Sequence, residues 1–247
     1  MKLMIVAFSL LLISTDAWAQ SSMAKGFSSF RKMMVDEKYA VQRVRFQDGA
    51  KAERFEVRPG DCVGTDCKQD RERAEYYQWG GEKHGKDAWY AWSIFVPGDF
   101  PRMGHKMWVK LGQFHQTGGS GPELLFQLGD RQFTAIMKSP YVRDDDPMRP
   151  AKNEAEVRLA SKSQMLGRWN RVMVNAKWSQ QKDGYLHLYM NGKKIWSYLG
   201  PTSNDSEPIY FRYGIYRSFV SRCGGPCPTV VAYFRDVKRG TSRSRVE

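Results

Sequence analysis

From Val41 onward the chain is written in short stretches that alternate apolar and polar residues, many of them closed by glycine, proline or asparagine. The clearest is Tyr185 to Met190, which turns at Asn191-Gly192 into Lys193 to Tyr198. Asn-Gly between two such runs is the strongest short-range signal for a β-hairpin, because both central residues of the tight turn need positive φ. A period of two puts alternate side chains on opposite faces of a sheet. In Trp169 to Trp178 it gathers Val172, Val174, Ala176 and Trp178 on one face. The same reading gives strands at Val41 to Phe46, Arg54 to Val57, Trp89 to Val96, Lys106 to His115, Leu124 to Leu128, Phe133 to Met137, Ile209 to Tyr216 and Val230 to Val237. Many short strands, regular turns and little helical periodicity mean an antiparallel sandwich or barrel. Residues 23 to 38 are expected to hold a short helix ahead of the sheet. No repeat, linker or composition break divides the chain.

The N-terminus is expected to be removed. Lys2 is a basic start, Leu3 to Ile13 is almost wholly apolar, and Ala17-Trp18-Ala19 before Gln20 has the small-x-small pattern of a signal-peptidase site. That apolar run is too short to cross a bilayer, and no later stretch approaches the length a membrane helix needs. No Cys follows the site, so a lipid anchor is not expected. The reading is a signal peptide over 1–19 and a single domain over 20–247, secreted or periplasmic after cleavage near Ala19. Sandwiches and barrels commonly reach roughly 200–250 residues as one unit.

The formal net charge is +13, and Lys2 and Asp16 cancel in the leader, so export leaves it unchanged. A strongly basic exported protein seeks an anionic partner. Export favours an acidic polysaccharide over nucleic acid or a membrane surface, neither of which is expected. The 8 Trp, 12 Tyr and 13 Phe exceed what a core usually uses, and flat rings stack on sugar faces. The four cysteines fall in two close pairs, Cys62 with Cys67 and Cys223 with Cys227. In an oxidising compartment two local disulfides are the simplest reading. The alternative, a zinc site built from all four, is disfavoured by the spacings and by export. Asp144-Asp145-Asp146 beside Pro147 reads as a solvated loop rather than a cation site.

Three segments carry chemistry. In Arg73-Ala74-Glu75-Tyr76-Tyr77, a strand puts Arg73, Glu75 and Tyr77 on one face. Arg is a bidentate carboxylate binder, and Glu75 is placed to hold its guanidinium. In Gln113-Phe114-His115, an amide and an imidazole share a face. In Tyr210 to Tyr216, Tyr210, Arg212, Gly214 and Tyr216 share a face, and Gly214 leaves room for a close approach or marks a bulge. Each segment alone is also compatible with ordinary surface polarity.

Together and in this order, the three segments resemble the Arg-Ser/Thr-Glu, Gln-Ile/Val-His and Tyr-Phe-Lys-Ala-Gly-x-Tyr motifs of the jelly-roll alginate lyases. Wider landmarks resemble the heparin lyase I-like and glucuronan lyase group: "VPGDF" (Val96 to Phe100), "W…KWS…DG…NGK" (Trp169 to Lys193) and "GIYR" (Gly214 to Arg217). The resemblance runs from about residue 70 to 240, as a pattern match. Ala74, Phe114, Arg212 and Tyr213 depart from the motifs. Of these only Arg212 is on the expected active face, and it keeps the positive charge. The resemblance implies a concanavalin-like jelly roll, an antiparallel β-sandwich with a basic, aromatic concave face. It also implies a polysaccharide lyase that cleaves a uronate polymer by β-elimination.

Such a reaction removes the proton beside the carboxylate and expels the glycosidic oxygen, so charge develops on the carboxylate and must be met by groups placed in advance. Arg73 and Gln113 are the expected stabilisers. Tyr216 is the first candidate for proton transfer and His115 the second, with neighbouring arginines expected to favour the Tyr216 phenolate. Glu75, Tyr77, Lys110, Tyr210, Arg212 and Arg217 complete the expected substrate-binding set, and Arg171 and Lys177 are further candidates for a basic groove. No metal or organic cofactor is required by this chemistry, a structural cation stays open, and a monomer is expected. The alternatives are a lectin-like module that binds acidic glycan without cutting it, and a sandwich-fold glycoside hydrolase. The Glu-x-Asp-x-x-Glu strand of laminarinase-like hydrolases is absent from the sequence.

Overall fold

The computed structural model describes residues 22–104, 107–118, 121–138 and 154–247. The leader and the acidic triplet lie outside the described residues. In chain order the strands are β1 (Phe30–Met34), β2 (Val41–Arg45), β3 (Lys51–Val57), β4 (Arg71–Gln78), β5 (Asp87–Phe95), β6 (Val109–Gln116) and β7 (Pro122–Leu128). They continue as β8 (Gln132–Lys138), β9 (Glu154–Ser161), β10 (Trp169–Lys177), β11 (Tyr185–Met190), β12 (Lys193–Leu199), β13 (Ile209–Ser218) and β14 (Val230–Gly240). They form two seven-stranded sheets, ordered β1-β4-β13-β6-β7-β8-β9 and β12-β11-β10-β5-β14-β3-β2. Neighbouring strands within both sheets run antiparallel. This is the sandwich expected from the alternation. Among the described residues no helix is long and apolar enough to cross a membrane.

The core lies between the sheets. Val172, Val174, Ala176 and Trp178 are buried there together, as their spacing requires. The rings of Phe114, Phe211 and Trp178 meet across it, with Phe114 and Phe211 centroids 4.8 Å apart. Burying side chains of this size contributes roughly 1.5–3 kcal/mol each. Asn191 and Gly192 take φ of 50° and 82°, the turn that Asn-Gly was read to encode.

The helix expected over residues 23 to 38 does not form; that stretch contains β1, paired to β4 at the edge of the first sheet. Its alternation sends Phe30 and Met34 against the core and Arg31 and Met33 to the outer face. A five-residue edge strand carries too little periodicity to be recognised in the sequence. The Gly214 position also resolves. Its φ is 129°, and a Cβ there would lie 2.3 Å from the Ala74 carbonyl oxygen. The glycine serves an irregularity between β13 and β6, and the space beside it is filled by strand β4 and Phe55 rather than left for a ligand. Both cysteine pairs form disulfides, Cys62–Cys67 and Cys223–Cys227, which removes the zinc alternative.

Candidate active site

β13 runs between β4 and β6, and its register brings the three motifs together. Tyr216 stands opposite Arg73 on one side and Lys110 on the other. Arg212 stands opposite Tyr77 and Gln113, and Tyr210 opposite His115. The alternation of β13 buries Phe211, Tyr213 and Ile215 in the core and turns Tyr210, Arg212 and Tyr216 outward. On that outer face is a cavity of about 430 Å³, lined by residues that include Arg71, Arg73, Lys110, Gln113, His115, Lys138, Tyr210, Arg212, Tyr216 and Phe219. All four catalytic candidates therefore line one cavity.

Arg73 is almost wholly buried, at 3% exposure. Asp66 grips it through Oδ1 to Nη2 at 2.7 Å and Oδ2 to Nε at 2.5 Å, and Glu75 Oε2 accepts from Nη1 at 3.2 Å. Glu75 was expected as the partner; Asp66 was not. Asp66 sits inside the loop closed by Cys62–Cys67, and no strand periodicity points from that loop to Arg73. Two formal negative charges thus surround one positive charge. The guanidinium also covers the ring of Tyr216, 4.2 Å from its centroid.

Glu75 is fully buried, so its place is to orient other side chains, not to touch a sugar. Its second oxygen, Oε1, accepts from Gln113 Nε2 at 2.6 Å. The Gln113 amide is thereby fixed with its carbonyl turned to His115, and Gln113 Oε1 lies 3.3 Å from His115 Nε2. A carbonyl can only accept, so Nε2 carries the proton and Nδ1 keeps its lone pair. Burial, reinforced by the positive charges of Arg212 and Arg73, holds the His115 pKa well below the ordinary imidazole value. The ring is neutral at neutral pH and stacks on Tyr210, with centroids 5.7 Å apart.

The expected pull of the arginines toward a Tyr216 phenolate is present but is not the larger effect. Burial raises its pKa, and the opposing pull of Arg71 and Arg73 does not outweigh it. The phenol keeps its proton. Lys110 donates to Ser218 Oγ at 3.0 Å and lies 5.6 Å from the Tyr216 ring. Its own pKa is lowered to about 8, first by burial and then by the like charges of Lys138, Arg222 and Arg71. Arg212 donates to Tyr210 Oη at 2.6 Å, and Tyr77 lies 6.4 Å from Tyr210, ring to ring, on the same face.

Three expected contributors lie elsewhere. Arg217 is fully buried, on the opposite face of β13 from Tyr216, where it pairs with Glu72 and donates to the Pro228 carbonyl. Its odd position in the strand alternation was the available signal. Arg171 and Lys177 belong to β10 in the other sheet; Arg171 donates to Ser93 and the Val246 carbonyl, and Lys177 pairs with Asp183. Conversely, Arg71 and Lys138 reach the cavity without having been singled out. Among the described residues no group of three or more His, Cys, Asp or Glu side chains converges as a metal site.

A family model described as polysaccharide lyase matches residues 14–238. No curated protein matches the chain. Among solved structures, the fold is similar to endo-β-1,4-glucuronan lyase from the fungus Trichoderma reesei, with a TM-score of 0.66 and 20% identity over 90% of this chain and 93% of that one. It is also similar to the family 7 alginate lyase A1-II′ (TM-score 0.57, 14% identity, 83% of each chain). Alginate lyase PA1167 from Pseudomonas aeruginosa is similar too (TM-score 0.56, 15% identity, 83% of this chain and 86% of that one). At these identities the structural likeness speaks to the fold.

Proposed function

This chain belongs to the polysaccharide lyase family, and we propose that its basic cavity cleaves a uronate-containing polysaccharide by β-elimination. The observation that carries the reading is that His115 and Tyr216 line one cationic cavity together with Gln113, Lys110 and Arg212. A neutral His115 with a free Nδ1 is a base ready to take the proton beside the uronate carboxylate. A Tyr216 that still holds its proton is an acid ready to deliver it to the departing glycosidic oxygen. Proton transfer in both directions by positioned side chains contributes about 10²–10⁴-fold each.

The negative charge that develops on the carboxylate falls to Gln113 and Lys110, which line the cavity. Three contacts of Arg73 are committed to Asp66 and Glu75, whose charges offset its own, so its part is to orient Glu75 and the Tyr216 ring. Gln113 keeps one amide N–H after serving Glu75, and its side chain lines the same cavity. Arg71, Arg212 and Lys138 add positive charge for neighbouring carboxylates along the polymer, and Tyr210 and Tyr77 offer ring faces. The same contacts argue against hydrolysis. A hydrolase needs two carboxyl groups free to act on the bond, whereas Asp66 and Glu75 are both engaged in holding Arg73. Catalysis on this reading uses no metal or organic cofactor. The two disulfides fit an exported protein in an oxidising compartment.

The test is to incubate the purified protein with glucuronan, alginate, heparin-type and bacterial acidic polysaccharides. A lyase leaves an unsaturated uronate that absorbs at about 235 nm, as expected for this reaction class. New reducing ends without that absorbance would make the protein a hydrolase, and retention on a polymer without cleavage would make it a lectin.

A further inference from the structure

Among the described residues three large apolar side chains are markedly exposed: Trp79, Leu199 and Phe219. Leu199 ends β12, at the edge of the other sheet. The remaining two belong to the sheet that carries the cavity, and they stand at its two ends. Trp79, 49% exposed, follows the last residue of β4 and continues the outward alternation of Arg73, Glu75 and Tyr77. Phe219, 52% exposed, follows the last residue of β13 and lines the cavity. β4 and β13 are antiparallel, with Tyr77 opposite Arg212 and Arg71 opposite Ser218. Trp79 is therefore level with Tyr210, nine residues from Phe219, and at a rise of about 3.3 Å per residue the separation is roughly 30 Å.

Each ring is backed by a guanidinium. Arg31 lies 3.3 Å from the Trp79 centroid, and Arg222 lies 4.0 Å from that of Phe219. Each therefore presents an apolar face with a positive charge beside it, the combination that suits a sugar bearing a carboxylate. Neither ring is isolated from the cavity. Trp79, Tyr77, Tyr210 and His115 form a continuous series of ring contacts, with centroid steps of 6.5, 6.4 and 5.7 Å.

Phe219 is also held in a conformation that a bulky residue seldom adopts, with φ 61° and ψ 46° in the left-handed region. The surroundings impose it. The amides of Phe219 and Val220 both donate to the Asp70 carbonyl, at 2.7 and 3.2 Å, and the Asp70 carboxylate accepts from the amide and hydroxyl of Ser221. A non-glycine residue kept in such backbone and left half in water is a common mark of a functional site.

We infer that Trp79 and Phe219 are outlying platforms for an acidic polysaccharide, one on either side of the Tyr216 centre, so that the chain is gripped along the length of β13 and cut at an internal bond. This deepens the reading of the cavity as a polyuronate-cleaving site and rests on it.

The test compares wild type with Trp79→Ala, Phe219→Gly and the double variant, with Leu199→Ala as control. Binding is read by affinity electrophoresis in gels containing glucuronan, alginate or heparin-type polymer. Cleavage is read on the same polymer and on its unsaturated trisaccharide. Each platform variant should weaken polymer binding about ten-fold. Each should also lower the ratio of kcat/KM on polymer to kcat/KM on trisaccharide by a similar factor, while Leu199→Ala matches wild type. Glycine accepts the left-handed backbone freely, so Phe219→Gly should keep or raise the melting temperature, which separates lost binding from lost structure. Platform variants that bind polymer like wild type overturn the inference and leave the lyase reading standing. Wild type that binds without cleaving, with binding lost in the variants, keeps the platforms and removes the lyase. Wild type that binds none of the polymers overturns both.

Discussion

Tyr216 is where the residue-level chemistry can be tested most directly. Tyr216→Phe removes one oxygen and little volume from a half-buried ring packed under Arg73, so folding should survive. If the phenol delivers the proton to the leaving oxygen, turnover should fall at least about 100-fold, read as the initial rate of unsaturated product on polymer. A folded variant with near wild-type turnover would remove Tyr216 from the mechanism. Lys110 gives a second test, through pH. Its ammonium titrates at about 8 because it is buried among other cations. The charged form binds the carboxylate, so kcat/KM, which reports the free enzyme, should decline as pH rises through about 8. Arginine stays charged well beyond that range, so Lys110→Arg should abolish this alkaline limb. An unchanged limb in the variant would place the titration elsewhere. On the acid side, a His115 pKa held well below the imidazole value predicts activity that persists below pH 6.5.

At the scale of elements, β13 is the strand on which site and core meet. Its outward residues complete the cavity, and its inward Tyr213 donates to Glu53 Oε2 on β3 at 2.7 Å. Glu53 Oε1 accepts from the Met23 amide at 2.8 Å, so one buried carboxylate ties the N-terminal segment and both sheets together. Burial pushes its pKa from 4.5 to about 6, against the hydrogen bonds that favour the charge. A carboxyl that titrates higher folded than unfolded contributes stability that is present below about 4.5 and lost as pH rises through 6. The shift corresponds to about 2 kcal/mol. Glu53→Gln stays neutral, so its unfolding free energy relative to wild type should improve by about that amount between roughly pH 4.5 and 7.5, measured by urea unfolding at both. A difference that does not change with pH would show that Glu53 does not titrate in this range.

For the whole molecule, a net charge of +13 is concentrated to useful effect where Arg71, Lys110, Lys138 and Arg212 line one cavity. Exposed charge attraction is screened over about 10 Å at 0.1 M salt, so KM for an acidic polymer should rise with ionic strength while kcat changes less; a salt-independent KM would mean that the charge serves something else. How much of this was legible beforehand divides along a physical line. Period-two alternation and turn chemistry are properties of a few adjacent residues, so most of the strands from Val41 onward, the Asn191-Gly192 hairpin, the two cysteine pairs and the shared faces of Arg73, Glu75 and Tyr77, of Gln113 and His115, and of Tyr210, Arg212 and Tyr216 could be read from the chain. The ordered motifs added which of those faces meet. The edge strand β1 was missed because five residues hold too little alternation, and the other edge strand of that sheet, β9, was not read although it alternates. Which sheet Arg171 and Lys177 belong to depends on strand order, which no local pattern encodes. Asp66 reaches Arg73 only because a disulfide loop folds across the end of β4. The protonation of His115 and Tyr216 is set by how much water and charge surround them, and burial is a property of the packed sandwich. Sequence alone determined the strands and the faces; tertiary structure decided which charges are spent on each other, which are left for a substrate, and which groups hold their protons.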